Sequence, residues 1–326
     1  MAKVGLSTRL LARVPATEDL VRRALAKGVP YLDIDATILP LVQTQPPRAS
    51  LALVTCRLST VVDDALAVAR QPTQLHNRFV PLVPADLTCA SELPALLSGM
   101  QRLADASIIG SYGVYVQTYD AGLASRVDAS AGPHLKWIQT PLNPFERNLV
   151  TDIAPWAKAK GVRLIASRPL TCVSPQGGSR LVDGAFPLDY GLVKDSLLNH
   201  VAGMGEAGTW LSNLVANIDR QLDLFESSLH WQAELTGRIL PMIDDAFEAM
   251  DADTYDMLVA FFDRFGKAVK ESASARARLS VAAQCGGEEP AGDLQRWAAE
   301  WAAAHDDVAF VAVDGEADEF DWLLSS

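Results

Sequence analysis

Through residue 170 the chain alternates short apolar runs with segments of helical period, and no other feature constrains its fold as tightly. Runs of strand length fall at 4–6, 31–35, 51–58, 79–83, 108–116, 135–139 and 162–166. Helical stretches separate them. The first is opened by Thr17 as cap, carries Leu20, Ala24 and Leu25 as its stripe, and stops at Gly28; others span 61–70, 91–103, 120–127 and 152–160. Residues 37–50 read as loop, because Pro46 and Pro47 are incompatible with a helix interior. Buried strands alternating with helices imply a parallel sheet with right-handed crossovers. A doubly wound sheet and a (βα)8 barrel both satisfy that pattern. No GxGxxG follows the first strand, so the dinucleotide fingerprint of the doubly wound fold is missing.

The pattern changes near residue 190. Leu211, Leu214, Val215, Ile218, Leu222, Phe225 and Leu229 recur at helical spacing and predict one long helix with a single apolar stripe. A second helical stretch over 238–270 clusters its acids at Asp244, Asp245, Glu248, Asp251, Asp253 and Asp256. EF-hand spacing and its turn glycine are absent there, so a solvated face explains the acids better than calcium. A helix over 294–303 and a strand over 308–313 then restore the α/β pattern. Three parts follow: seven barrel strands in 1–190, a helical insertion over 191–276, and a closing helix and strand in 277–326. Subtracting the insertion leaves about the ~250 residues of a minimal (βα)8 barrel.

Composition removes several classes. At 326 residues and 49% hydrophobic content the chain buries a large core. A net charge of -12 repels phosphate backbones and argues against nucleic acid as a partner. No apolar run reaches the ~18–20 residues of a membrane span. Cys56, Cys89, Cys172 and Cys285 form no CxxC pair, and the five histidines lack HxxxH or HExxH spacing, so no metal site is expected. The amino terminus carries Lys3, Arg9 and Arg13 and no acid before Glu18. That reads either as a mitochondrial transit segment or as a first strand with flanking charges, the alternative location being cytoplasmic.

Several segments, in order, resemble the aldo-keto reductase family. VGLST (4–8) is similar to its first-strand LGLGT, and GVPYLDIDA (28–36) to GxxxFDTA. ALVTCRL (52–58) resembles the strand ending in Thr-Lys, and RFVPLVPAD (78–86) the DLYLIHWPD strand. ASIIGSYGV (106–114), WIQTPLNPFERN (137–148) and DIAPWAKAKGVRLIASRPL (152–170) resemble the strands and helix that follow. The resemblance implies a (βα)8 barrel. It also implies carbonyl reduction by NADPH, through a Tyr proton donor tuned by Lys and Asp, with an orienting His.

Against that pattern only Asp33 is in place. Ile38, Cys56 and Val83 stand at the Tyr, Lys and His positions, and Tyr112-Gly113 at the Ser-Asn pair that holds nicotinamide, where the tyrosine would fill the pocket. Gln139, Ser167 and Gly315 persist as cofactor vestiges. The phosphate loop reads Gly315-Glu316-Ala317-Asp318-Glu319, acidic where the family has cations. The expectation is therefore a barrel with no catalytic residues and no cofactor, a structural subunit of a larger assembly. Diverged members of this family serve as accessory subunits, including in protist mitochondrial assemblies of the cytochrome c oxidase kind. Such a subunit would bind other protein subunits through 205–270, with no membrane segment of its own. Two alternatives stand beside it. One is a diverged NAD(P)H-dependent carbonyl reductase that recruits Asp33, Cys56 or Tyr112. The other is a soluble small-molecule binding module.

Overall fold

The computed structural model describes residues 3–8, 14–44, 50–71, 75, 78–174, 177–247, 250–287, 289–315 and 317–325. In chain order it contains β1 (Lys3–Ser7), α1 (Val14–Lys27), β2 (Tyr31–Asp35), α2 (Leu39–Thr44), β3 (Leu53–Arg57), α3 (Val62–Ala69), β4 (Phe79–Pro84), α4 (Leu93–Asp105), β5 (Tyr112–Tyr115), α5 (Leu123–Asp128), β6 (Leu135–Pro141), α6 (Ala154–Lys160) and β7 (Arg163–Ser167). There follow β8 (Thr171–Ser174) and β9 (Gly177–Arg180), paired as a separate sheet, then α7 (Tyr190–Val201), α8 (Gly205–Asp219), α9 (Ser228–Glu234), α10 (Leu240–Ala246) and α11 (Ala252–Gln284). The chain ends with α12 (Leu294–Ala303), β10 (Val308–Asp314) and α13 (Asp321–Ser325).

β1 to β7 and β10 close into a ring, with β10 hydrogen-bonded to both β7 and β1 and every neighbouring pair parallel. Of the two architectures left open by the alternation, the protein takes the (βα)8 barrel. The helical excursion falls between the seventh and eighth barrel strands, as the returning strand at 308–313 predicts. Lys3–Ser7 is the first barrel strand, and Arg9 and Arg13 lie outside the described residues.

Two local expectations need correction. Helix α1 starts at Val14, so Thr17 is a buried residue inside it rather than its cap. Leu39–Thr44, read as loop, is the short helix α2, pinned by buried Leu39 and Val42. Pro40 stands at its second position, where proline is tolerated. Pro46 and Pro47 lie outside the described residues.

Alternate strand residues fill the barrel interior. Tyr31, Leu53, Val80, Leu82, Trp137, Ile165, Phe310 and Ala312 form one buried cluster. A Cβ on Gly5 would lie 2.1 Å from the Tyr31 carbonyl oxygen, so glycine is what lets β1 close on β2. At the amino-terminal end of the strands the Arg163 guanidinium lies 3.8 Å from the Trp137 ring centroid and covers the cluster. Arg163→Ala should therefore lower stability by about 1 kcal/mol. The reading is a lower urea midpoint at unchanged slope; an unshifted midpoint would show that the stack contributes nothing.

The chain divides into two compact units, Met1–Cys172 with Gln295–Ser326, and Val173–Leu294. The excursion thus extends beyond 191–276 at both ends. Its beginning and end are tied together: the Asp183 carboxylate accepts from the Arg278 guanidinium and, at 2.8 Å, from the Leu294 backbone N–H. The long helix expected over 211–229 is broken. Helix α8 stops at Asp219, a single turn spans Leu222–Leu224, and Ser227 caps α9 by accepting from His230 N–H at 3.2 Å. Its stripe is also not free for docking. Leu211, Leu214, Val215, Ile218 and Phe225 are buried with Phe261, Phe262 and Phe265 in this unit's own core. Asp244, Asp245, Asp253 and Asp256 are exposed, as a solvated face requires, while Asp251 caps α11 and Glu248 lies outside the described residues. Among the described residues no helix is long and apolar enough to cross a membrane, and no group of three or more His, Cys, Asp or Glu is placed to hold a metal ion.

Candidate functional site

The carboxyl ends of the barrel strands surround a cavity of about 560 Å³, which includes Asp33, Arg57, Tyr115, Gln139, Ser167 and Asp314 in its lining. Functional side chains of (βα)8 barrels belong at this end. Strand parity decides which residues reach it. Asp33 pairs in register with Thr55 and Asp35 with Arg57, so β3 turns Thr55 and Arg57 inward and Cys56 outward. Burial, reinforced by the charges of Asp33 and Asp35, pushes the Cys56 thiol up to about 12, so it is an inert core group.

Asp33 is fully buried and is the hub of the site. It accepts from Ser7 Oγ at 2.7 Å, Thr55 Oγ1 at 3.0 Å and Gln139 Nε2 at 3.2 Å. Arg57 Nη1 lies 3.5 Å from its Oδ2. Asp35, one strand-face step nearer the opening, accepts from Thr37 N–H at 3.0 Å, from Thr37 Oγ1, and from Thr8 Oγ1 at 3.4 Å. Tyr115, last in β5, donates to the Leu58 carbonyl at 3.3 Å. Burial raises its pKa to about 12, and the Arg57 charge opposes that rise. Gln139 turns its Nε2 toward Asp33, as it must, since the amide oxygen would face a carboxylate. That leaves Gln139 Oε1 buried with no hydrogen-bond partner among the described residues.

The other positions named from the sequence fall as follows. Ile38 is buried in the turn ahead of α2. Val83 lies between inward-facing Leu82 and Pro84 and points to the helices. Tyr112 does not fill the mouth: it faces outward, donating to Gln101 Oε1 at 3.2 Å and accepting from Gly132 N–H at 3.1 Å. Its neighbour Gly113 faces inward, where a Cβ would strike Leu82 and Trp137. Ser167 lines the mouth, followed by Arg168 at φ +53°, an uncommon conformation for a side-chain-bearing residue. Arg168 Nη2 pairs with Glu146 Oε1 at 2.7 Å.

The end of β10 tests whether NADPH fits. Asp314 and Glu319 are both about 1% exposed, and Gly315 between them admits the Glu319 carboxylate to within 2.7 Å of where a Cβ would stand. Glu316 lies outside the described residues. Two buried carboxylates beside a phosphate dianion are repulsive, so this end does not suit the ribose phosphate of NADPH. A carboxylate does suit a free ribose hydroxyl, which it can accept from.

A second cavity of about 390 Å³ shares Tyr115 and Gln117 with the first. Asp86 Oδ1 there accepts from Gln117 N–H at 2.8 Å and Thr118 N–H at 3.1 Å. Asp120 is paired with Arg126, whose hydrogen bonds hold its carboxyl below the usual range.

No protein-family model matches the sequence, and no curated protein matches it. Solved structures do. An aldo-keto reductase enzyme from a Medee basin deep-sea metagenome library is 16% identical with a TM-score of 0.43, over 54% of this chain and 66% of that one. An aldo-keto reductase from Klebsiella pneumoniae in complex with NADPH is 16% identical with a TM-score of 0.40, over 51% and 63%. An aldo/keto reductase from Brucella melitensis is 14% identical with a TM-score of 0.41, over 61% and 73%. The matches thus span roughly two-thirds of those chains.

The expectation of a barrel emptied of chemistry is corrected. It rested on reading the cation position at Cys56 and on finding no proton donor. The inward parity of β3 puts Arg57 beside Asp33, and β5 brings the Tyr115 hydroxyl to the same mouth. Sequence reading sets Arg57 aside as the opposite-face neighbour of Cys56, and misses Tyr115. The signal for Arg57 was two-residue alternation from Asp33 across to Thr55; for Tyr115 no family position pointed to it.

Proposed function

We propose that the protein is a diverged carbonyl reductase. What carries the reading is a buried Asp33–Arg57 pair at the barrel mouth beside the Tyr115 hydroxyl. Reduction of an aldehyde or ketone adds hydride at carbon and a proton at oxygen. A nicotinamide dinucleotide with a free ribose hydroxyl, held near Asp314, would supply the hydride when bound. The chain's own residues do the rest. Tyr115 is protonated at neutral pH and donates its proton to the carbonyl oxygen. Arg57 stabilises the tyrosinate left behind, because a nearby cation favours the charged form. Asp33 fixes the guanidinium, and Ser7, Thr55 and Gln139 in turn fix Asp33. Nothing in this reading requires a partner chain.

The test is oxidation of NADH or NADPH at 340 nm by the purified full chain with a panel of short aldehydes. Saturable turnover with NADH, and at least tenfold weaker use of NADPH, is expected from the carboxylates at the end of β10. Absence of turnover with both would remove the reading.

A further inference from the structure

The turn that follows β6 is held on two sides. Glu146 Oε1 accepts from Arg168 Nη2 at 2.7 Å, and its Oε2 accepts from Asn143 Nδ2 at 2.7 Å. The next residue, Arg147, sets its guanidinium 5.5 Å from the centroid of the Trp301 ring on α12. His305, just past the end of α12, packs edge-to-face on the same indole, with ring centroids 4.7 Å apart. Its Nε2 atom is buried and has no hydrogen-bond partner among the described residues. A neutral imidazole leaves that nitrogen only unsatisfied. A protonated one must donate from it, with no acceptor in reach.

Two charged groups face the ring: Arg147 from the turn and Asp307 from the segment ahead of β10. Asp307 is exposed, so water screens it. Burial and the Arg147 charge hold the imidazole below the usual histidine range, against the pull of Asp307. We propose that His305 is an acid-sensitive latch: once protonated it repels Arg147, the turn leaves Trp301, and Glu146 loosens its hold on Arg168 at the barrel mouth. An open turn lets His305 take its proton at the ordinary imidazole pKa of about 6.5, and the closed turn delays uptake to lower pH. Opening is therefore favoured as pH falls below about 6.5. The latch does not depend on the reductase reading.

Hydrogen exchange of the full chain at pH 7.5 and 5.0, each normalised to intrinsic rates, tests it. The reporters are the Glu146, Val150 and Thr151 amides, bonded within the turn and the first turn of the following helix, and the Thr171 amide, bonded to the Arg168 carbonyl at 3.2 Å. Their protection should fall about fivefold or more at pH 5.0, while β4 amides keep theirs. His305→Gln should abolish the fall, and Arg147→Gln should reduce it. The His305 ring protons of the wild-type chain, followed by NMR, should titrate below pH 6.5. Unchanged protection at the turn or at Thr171, a fall that survives His305→Gln, or a ring that titrates at or above 6.5 overturns the proposal. The exchange and NMR arms on the wild-type chain decide it even if a variant does not fold.

Discussion

Tyr115→Phe should lower turnover of a reducible aldehyde by about 10²–10⁴-fold, the usual loss when one positioned general acid is removed. The phenyl ring keeps the wall shared by the two cavities and removes only the hydroxyl, so substrate KM should change little. The pH profile gives a second reading of the same group. Its pKa lies at about 12, so Tyr115 stays protonated throughout the ordinary working range. The rate governed by this acid should therefore be flat from roughly pH 6 to 10 and fall only as pH rises toward its pKa. A Tyr115→Phe enzyme with wild-type turnover, or a wild-type profile that loses activity near pH 7 through an acid group, would move the proton donor elsewhere.

Asp33→Leu should destabilise the barrel by about 3–5 kcal/mol. The carboxylate is fully buried and satisfies three hydrogen-bond donors besides Arg57. Removing it strands those donors and leaves a guanidinium only 11% exposed without its counter-charge. Asp33→Asn keeps an acceptor and fills the same volume, so its cost should be smaller, with loss of turnover as the main effect. Urea unfolding measures both. Equal stability of the Asp33→Leu variant and the wild-type protein would mean that the network is held from elsewhere.

The barrel was legible because its strands are buried on both faces and read as apolar runs, and because a strand at 308–313 has no use except closure. The excursion was legible in kind and not in detail. Period alone drew one helix from Leu211 to Leu229, yet the same stripe is produced by two helices meeting at a turn after Arg220. Only the partners at Phe261 and Phe265 say which occurs. The site was half legible. Asp33 was picked out by its resemblance to the family pattern and lies buried at the barrel mouth, but matching Cys56 to a family lysine overrode the alternation that turns Arg57 inward. Tyr112 and Tyr115 sit three apart on one short strand and therefore face opposite sides, so the reading that placed Tyr112 in the mouth chose the wrong one of the pair.

The clasp at Asp183 has a consequence for how such a protein arises. A unit whose two ends are pinned to each other makes a single small stitch in its host, so eight strands keep their neighbours whatever is sewn in at that seam. A barrel of this kind can acquire, enlarge or exchange its helical passenger by one genetic event without relearning how to close.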